Sequence, residues 1–149
     1  MKSAELTTLI NAMFVEIEKL LPGYLNNNED ERIANGNCAV CIIDEQGLVY
    51  GKLYGNYKIR SRESYRVAWT KASQVWITGL KTGEYEKKFF NGEVPECGIE
   101  VPDLIGWEGG QPLTLNDGTK LYAGFSGIRG IYDLEIVTKA LAIVENKSL

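Results

Sequence analysis

The sequence has no histidine among its 149 residues, and this absence restricts the chemistry open to the protein. Histidine is the commonest side-chain general base near neutral pH and the commonest metal ligand, and it often holds haem iron. A Ser-His-Asp or Cys-His nucleophilic site is therefore excluded within this chain. Any acid–base chemistry must use Asp, Glu, Lys, Tyr, Cys or water.

The sequence also lacks long apolar runs and an excess of positive charge. No run approaches the ~20 apolar residues that span a bilayer, so we expect no membrane partner. The N-terminus, MKSAELTT, lacks the apolar core of a signal peptide, and the cytoplasm is the expected location. Because 16 basic residues are outnumbered by 20 acidic ones, for a net charge of −4, we expect no nucleic-acid partner. The length predicts a single domain covering residues 1–149.

The three cysteines are Cys38, Cys41 and Cys97, and the first two form a Cys-x-x-Cys pattern. A zinc site would need further ligands, but a second such pair and any histidine are absent. The flanking run CAVCIID is apolar and β-branched, which predicts a buried strand with Cys38 and Cys41 on opposite faces. We therefore expect structural cysteines and no metal site.

Hydrophobic periodicity and turn residues predict an alternation of helices and hairpins. Helices are expected at 3–21, 62–77 and 133–144, with a short helix or turn at 82–91. Strands are expected at 38–44, 48–54, 113–115 and 120–125, with 98–101 as a further edge strand. Pro22-Gly23 is expected to stop the first helix and Asp133 to cap the last, while 25–37 is a polar surface loop. The predicted fold is α+β, an antiparallel sheet of about five strands flanked by helices.

The stretch from Gly106 to Gly127 contains six of the 16 glycines. Its Asn116-Asp117-Gly118 segment is a strong hairpin signal that needs no ligand. Glycines elsewhere in the stretch allow backbone to approach a ligand or another piece of backbone closely. We therefore expect a pocket at its two ends, 107–110 and 126–127.

Lys71 is the most informative local anomaly, because it lies within the apolar stripe of the second predicted helix. Its neighbours at helical spacing are Val67, Ala68, Ala72 and Val75. A lysine at such a position extends its ammonium to the edge, pairs with a buried carboxylate, or reaches a ligand. The two alanines leave room beside it, and the sequence does not choose among these alternatives.

An ordered set of short motifs lies between Ala39 and Leu141. It consists of Cys41-Ile42-Ile43-Asp44 with Gly47, then Ser64, Ala68, Lys71 and Ala72, then Thr82 and Glu84, then Gly109, Gly110, Pro112 and Leu113, then Ser126-Gly127, and finally Asp133. This set resembles the pattern of the GlcG/HbpS-like family, which also includes the C-terminal domain of some corrinoid adenosyltransferases. No single motif is specific, but their order and spacing carry the resemblance.

The resemblance implies an antiparallel sheet with helices packed on it, a homo-oligomer, and in some members a bound haem or related tetrapyrrole. This chain departs from the family in having Gln74-Val75 where Thr-Ala is common, and Trp107-Glu108 beside Gly109. Because histidine is absent, a haem would have to be bound in another way.

Two functional hypotheses use the same residues. In a binding module, Lys71 would neutralise an acidic ligand and Trp107 would stack on it, with Ser64, Gly109, Gly110, Ser126 and Gly127 completing the pocket. In a cofactor-independent enzyme of lyase, isomerase or cyclase type, Lys71 would act with Asp44, Glu108 or Asp133 in acid–base or Schiff-base chemistry. The Gly109-Gly110 backbone would then stabilise an oxyanion.

A purely structural interpretation also remains. In it, the glycines shape a hairpin, Asp133 caps a helix, Asp44 makes a turn and Lys71 pairs with an acid across a subunit interface.

Overall fold

A computed structural model of the protein describes residues 1–26 and 34–147. The rest of the predicted polar loop, 27–33, lies outside the described residues. The helices are α1 (Ser3–Tyr24), α2 (Lys58–Thr78), α3 (Glu84–Phe90) and α4 (Gly130–Lys147). The strands are β1 (Ala39–Asp44), β2 (Val49–Leu53), β3 (Gly110–Thr114) and β4 (Lys120–Ser126). None of these helices is long and apolar enough to cross a membrane.

The four strands form one antiparallel sheet in the order β2-β1-β4-β3. The predicted α+β fold with an antiparallel sheet is therefore confirmed, with four strands in the described residues where about five were expected. The predicted edge strand at 98–101 is wrong, because that segment is irregular, with a bend at Gly98 and a turn that begins at Val101. Gly98 adopts a φ of 88°, a backbone conformation that a regular strand does not use.

One face of the sheet is covered by α1 and α4. Side chains from both helices interdigitate with inward-facing strand residues in the larger of two cores, whose fully buried members include Ile10, Ile17, Val40, Phe125 and Ile136. Alternation along β1 places Val40 and Ile42 in this core and Cys41 and Ile43 in the other. Cys38 and Cys41 therefore lie on opposite faces, as predicted, and no disulfide joins the cysteines.

In the part of the chain that the structure describes, the other face is covered by α2, at unusually close range. Ala68 and Ala72 lie against β4, and a Cβ built on Gly124 would come within 2.1 Å of the Ala68 carbonyl oxygen. Only a glycine in the strand and alanines in the helix allow this approach. The resulting core is small, and α2 is also held by hydrogen bonds from the side chains of Ser64, Lys71 and Gln74.

Three helix boundaries differ from the sequence prediction. Helix α1 continues through Pro22 to Tyr24, because a proline near the end removes only one late hydrogen bond. Helix α2 begins at Lys58, four residues early, and the Ser61 hydroxyl in its first turn donates to the Tyr54 carbonyl at 2.7 Å. Helix α4 begins at Gly130, so Asp133 lies inside its first turn and is not the N-cap.

Candidate functional site

Lys71 lies deep between α2 and β4, with only 3% of its surface exposed. Its Nζ donates a hydrogen bond to the Phe125 carbonyl oxygen at 3.0 Å and lies 3.4 Å from Asp133 Oδ2. Both side chains of this ion pair are buried. Of the alternatives that the sequence left open, the structure shows pairing with a buried carboxylate of the same chain.

The charge on Lys71 is subject to opposing effects. Burial lowers the pKa of Lys71 below its ordinary value, because an ammonium loses hydration in the interior. The negative charges of Asp133 and Glu108 oppose this shift without cancelling it. The partners of Lys71 therefore favour its charged form, while burial makes it easier to deprotonate than a surface lysine.

Asp133 connects three parts of the chain. Its Oδ1 accepts a hydrogen bond from the Ile128 amide at 3.1 Å, and its Oδ2 faces Lys71. The carboxylate thus ties the connection between β4 and α4 to α2. This arrangement explains why an aspartate stands inside the first turn of α4, where it has a tertiary role.

A cleft of about 600 Å³ opens beside this ion pair, between α2 and the two ends of the glycine-rich stretch. Trp107 stands at its rim with 71% of its surface exposed. The lining combines apolar side chains, two basic and two acidic groups and exposed backbone, and it consists of Val67, Lys71, Gly106, Trp107, Glu108, Ser126, Gly127, Ile128, Arg129, Gly130 and Asp133. Its volume lies within the range of small-molecule sites.

The segment that carries Trp107 and Glu108 is anchored at both ends. On one side, the buried Gln74 amide donates to the Ile105 carbonyl at 2.9 Å and accepts from the Ile105 amide at 2.7 Å. On the other side, Thr82 and Gly110 exchange two hydrogen bonds, at 3.0 and 3.1 Å. The rim of the cleft is therefore attached to α2 and to the connection that precedes α3.

Four residues predicted for the site lie outside the cleft lining. The Asp44 carboxylate accepts from the Gln46 and Leu48 amides, both at 2.9 Å, and so stabilises the β1–β2 turn. The Ser64 hydroxyl donates to the Asn37 carbonyl at 2.6 Å. Gly109 and Gly110 pack against α2, where a Cβ on Gly109 would lie 2.6 Å from Lys71 Nζ.

These two glycines allow backbone to approach a helix and do not face the cleft. The Gly110 amide donates to Thr82, so it does not offer a hydrogen bond to an oxyanion. Gly127, in contrast, lines the cleft at a φ of 131°, where a Cβ would lie 2.6 Å from Cys38 Sγ.

The sequence interpretation missed Arg129, which enters the lining from the connection between β4 and α4. Its guanidinium lies over the Tyr132 ring, 4.7 Å from the centroid. Gly127 and Gly130 flank Arg129 and Ile128, and this pattern of a basic residue between glycines before a helix was an available signal. No group of three potential metal ligands occurs in the part of the chain that the structure describes.

Neither a protein-family model nor a curated protein matches the chain. Solved structures do match it. Protein ORFY of Klebsiella pneumoniae is 17% identical with a TM-score of 0.64, over 92% of this chain and 88% of that one. The PduOC:haem complex is 18% identical with a TM-score of 0.62, over 95% and 93%. HbpS is 17% identical with a TM-score of 0.57, over 93% and 87%.

These similarities define the fold over nearly the whole length of the described chain. It is an α+β fold in which an antiparallel sheet carries helices on both faces. More specifically, it is the GlcG/HbpS-like fold, as the ordered residue set predicted.

Proposed function

We propose that the protein is a small-molecule-binding domain whose ligand occupies the cleft beside Lys71. The observation that carries this proposal is the placement of an exposed tryptophan and a buried ion pair around one cleft of about 600 Å³. Exposed tryptophan is costly in water and is typical of recognition surfaces. One structural neighbour, the PduOC:haem complex, supports a ligand of the haem type or another organic acid.

The lining residues favour some ligands over others. They contain no His, Met, Cys or Tyr, the side chains that ordinarily hold haem iron. The amine of Lys71 already contacts Phe125 and Asp133. The site therefore fits poorly with haem bound through its iron. It fits an organic acid whose flat apolar part stacks on Trp107.

The test is native mass spectrometry of the purified protein with a metabolite extract, followed by titration of the captured compound and of haemin. We expect one ligand per cleft, and Trp107→Ala should weaken its binding about tenfold or more, since stacking contributes roughly 1–2 kcal/mol. Phe90→Ala is the matched control, because Phe90 is 75% exposed and lies outside the cleft. Equal binding by both variants would contradict the assignment of the cleft.

A second candidate is a cofactor-independent enzyme of lyase, isomerase or cyclase type. The observation that favours it is the lowered pKa of Lys71 next to two carboxylates, Asp133 and Glu108. Such a lysine would exchange a proton with a bound substrate more readily than a surface lysine. Glu108→Gln should then remove turnover of the captured compound while leaving its binding within a few-fold. If no compound is converted, the binding function alone remains.

The proposal also includes a homo-oligomer in the cytoplasm. The absence of disulfides among the three cysteines supports a reducing compartment. Oligomer formation is supported by exposed apolar side chains at and beside the edge strand β2, including Leu53 and Trp69. Native mass spectra report the subunit number in the same experiment.

A further inference from the structure

The two edges of the sheet differ in how well they are protected from pairing. Strand β3, at one edge, contains Pro112, which has no backbone N–H to donate. Strand β2, at the other edge, runs from Val49 to Leu53 without a proline. An unprotected edge is a template for another strand. Among the residues that the structure describes, β2 is therefore the edge that is open to pairing.

The hydrogen-bond pattern shows which residues of β2 direct their backbone outward. The Tyr54 amide donates to the Cys38 carbonyl at 2.8 Å, and the Asp44 amide donates to the Leu48 carbonyl at 3.1 Å. Because bonded pairs alternate in an antiparallel ladder, the even-numbered residues of β2 bond to β1. The odd-numbered residues Val49, Gly51 and Leu53 therefore direct their N–H and C=O groups away from the sheet.

The side chains of these odd-numbered residues lie on the α2 face, where apolar groups remain exposed. Val49 and Leu53 are each 44% exposed. The Tyr65 ring lies over Gly51, and Trp76 lies beside Gly47 at the end of the same hairpin. Trp69 stands between Tyr65 and Trp76 on the helix, and the two tryptophans are 46% and 42% exposed. Together these residues, Val49, Gly51, Leu53, Tyr65, Trp69 and Trp76, form the β2 patch.

We propose that a second copy of this chain docks on the β2 patch, with the two β2 strands pairing antiparallel about a two-fold axis at Gly51. In this register Val49 lies opposite the partner's Leu53, and Gly51 lies opposite the partner's Gly51. In this register Val49, Gly51 and Leu53 form hydrogen-bonded pairs with the partner through the N–H and C=O groups that they direct away from the sheet. On the other face Lys52 lies opposite the partner's Tyr50, so the edge lysine meets an aromatic ring and no like charge. A two-fold interface requires this self-complementarity.

The area is sufficient for a dimer of modest stability. The exposed parts of the two tryptophans and of Val49 and Leu53 amount to about 300 Å² of apolar surface per copy, taking about 150–250 Å² for a whole large side chain. Two copies, with the strand backbones and flanking Tyr50, Lys52 and Tyr65, would bury about 1,000–1,200 Å², at the lower end of specific interfaces. We therefore expect a dissociation constant near the micromolar range.

This inference rests on the proposed homo-oligomeric state but not on the proposed ligand. The cleft lining and the β2 patch share no residue. Oligomer measurements and ligand titrations therefore test the two proposals separately.

The first experiment measures the mass of the full chain by sedimentation velocity over a concentration series. The natural protein should form dimers or larger even-numbered assemblies, and Leu53→Lys should raise the dissociation constant at least about tenfold by placing charge in the interface. Val101→Lys, a more exposed site away from the patch, is the control and should leave the mass unchanged. A monomeric natural protein, or a Leu53→Lys variant that dimerises normally, would overturn the proposal.

The second experiment tests the register by disulfide formation in a Cys97→Ser background. Bonded antiparallel pairs have Cα atoms about 5.5 Å apart, within disulfide range. A mixture of Val49→Cys and Leu53→Cys chains should therefore crosslink under mild oxidation. Either variant alone should not, because its own positions are about 13 Å apart across the axis at ~3.4 Å per residue. Equal crosslinking within one variant would reject the Gly51-centred register.

Discussion

The two faces of the sheet are stabilised in different ways. The face under α1 and α4 is covered by large apolar side chains, among them Ile10, Ile17 and Phe125. The face under α2 has a small apolar core around Ala68 and Ala72, and α2 is held there by close packing and buried polar contacts. The cleft opens beside this second face, where Lys71 of α2 meets Asp133 from the first turn of α4. A helix that is held by buried polar groups can use one of them at a site, whereas the apolar side of α4 only fills a core and α4 reaches the cleft through the polar Asp133.

The largest effect is expected at the closest approach on the α2 face. Gly124→Val should prevent folding or cost more than about 4 kcal/mol, because its Cβ would overlap the Ala68 carbonyl. The control is Gly23→Ala in α1, where a Cβ has nothing within 4 Å. That variant should gain up to about 1 kcal/mol from helix propensity. Urea denaturation followed by circular dichroism checks both, and a normally stable Gly124→Val would show that the helix can move away.

Removing one member of the buried ion pair is expected to have the next largest effect. Asp133→Leu should cost about 3–5 kcal/mol, because it leaves the Lys71 ammonium buried without its partner. The double variant Lys71→Met with Asp133→Leu should recover part of that loss. Lys88→Met, which removes an exposed pair with Glu84, should change stability by less than about 1 kcal/mol. If the double variant is no more stable than Asp133→Leu alone, the loss of stability does not come from an unpaired Lys71 ammonium.

On the opposite face of the sheet, shortening a buried apolar side chain should lower the free energy of unfolding by leaving a cavity in the core. Ile17→Ala is expected to destabilise the protein by about 2–4 kcal/mol, without changing ligand binding in the cleft. Val15→Ala, an exposed position in the same helix, should change stability by no more than about 0.5 kcal/mol. A change in ligand affinity for Ile17→Ala at temperatures where it is folded would contradict the separation of the two faces.

The effect that is smallest at neutral pH comes from Cys41 on the α2 face. It concerns how the free energy of unfolding depends on pH in alkaline solution. Burial raises the pKa of Cys41 from 9.0 to about 11. Because the raised pKa favours the neutral thiol in the folded state, its contribution is complete below pH 9 and is lost between pH 9 and about pH 11.

Cys41→Ala should therefore reduce the alkaline loss of unfolding free energy by up to about 3 kcal/mol, because the shift is about two pKa units at 1.36 kcal/mol each. Urea titrations at a series of pH values measure this slope. Ile43→Val, a change on the same face without a titrating group, should lower stability but keep the slope. An unchanged slope in Cys41→Ala would assign the pH dependence to other groups.

Most of the fold was predictable because periodicity is a local property. The apolar spacing of α1 and the alternation in β1 follow from residues within a few positions of each other, as does the Asn116-Asp117-Gly118 turn. The start of α2 could not be predicted in this way, because its first turn is held by a hydrogen bond from the Ser61 hydroxyl to the Tyr54 carbonyl. The start of α4 was missed because Asp133, a good N-cap residue, is used in a tertiary contact.

The candidate site was partly predictable for a similar reason. Lys71 could be recognised because a charge within an apolar stripe is anomalous in sequence. The partner of Lys71 could not be recognised from the sequence, because Asp133 lies 62 residues away. The packing of α2 near α4 decides which carboxylate the lysine meets. Gly109 and Gly110 looked like ligand contacts, but a sequence does not distinguish backbone approaching a ligand from backbone approaching a helix.

The sequence by itself determined the class of fold, the absence of histidine chemistry and the position of an anomalous lysine beside two alanines in the apolar stripe of a helix. Only the tertiary structure decided that this lysine is paired, that Arg129 joins it at a cleft and that apolar side chains lie exposed beside strand β2, an edge that no other described strand pairs with. The physical reason is the distance along the chain over which each interaction acts. Periodicity, turn chemistry and composition act between near neighbours, whereas burial, ion pairing and exposed edges depend on where distant elements are packed.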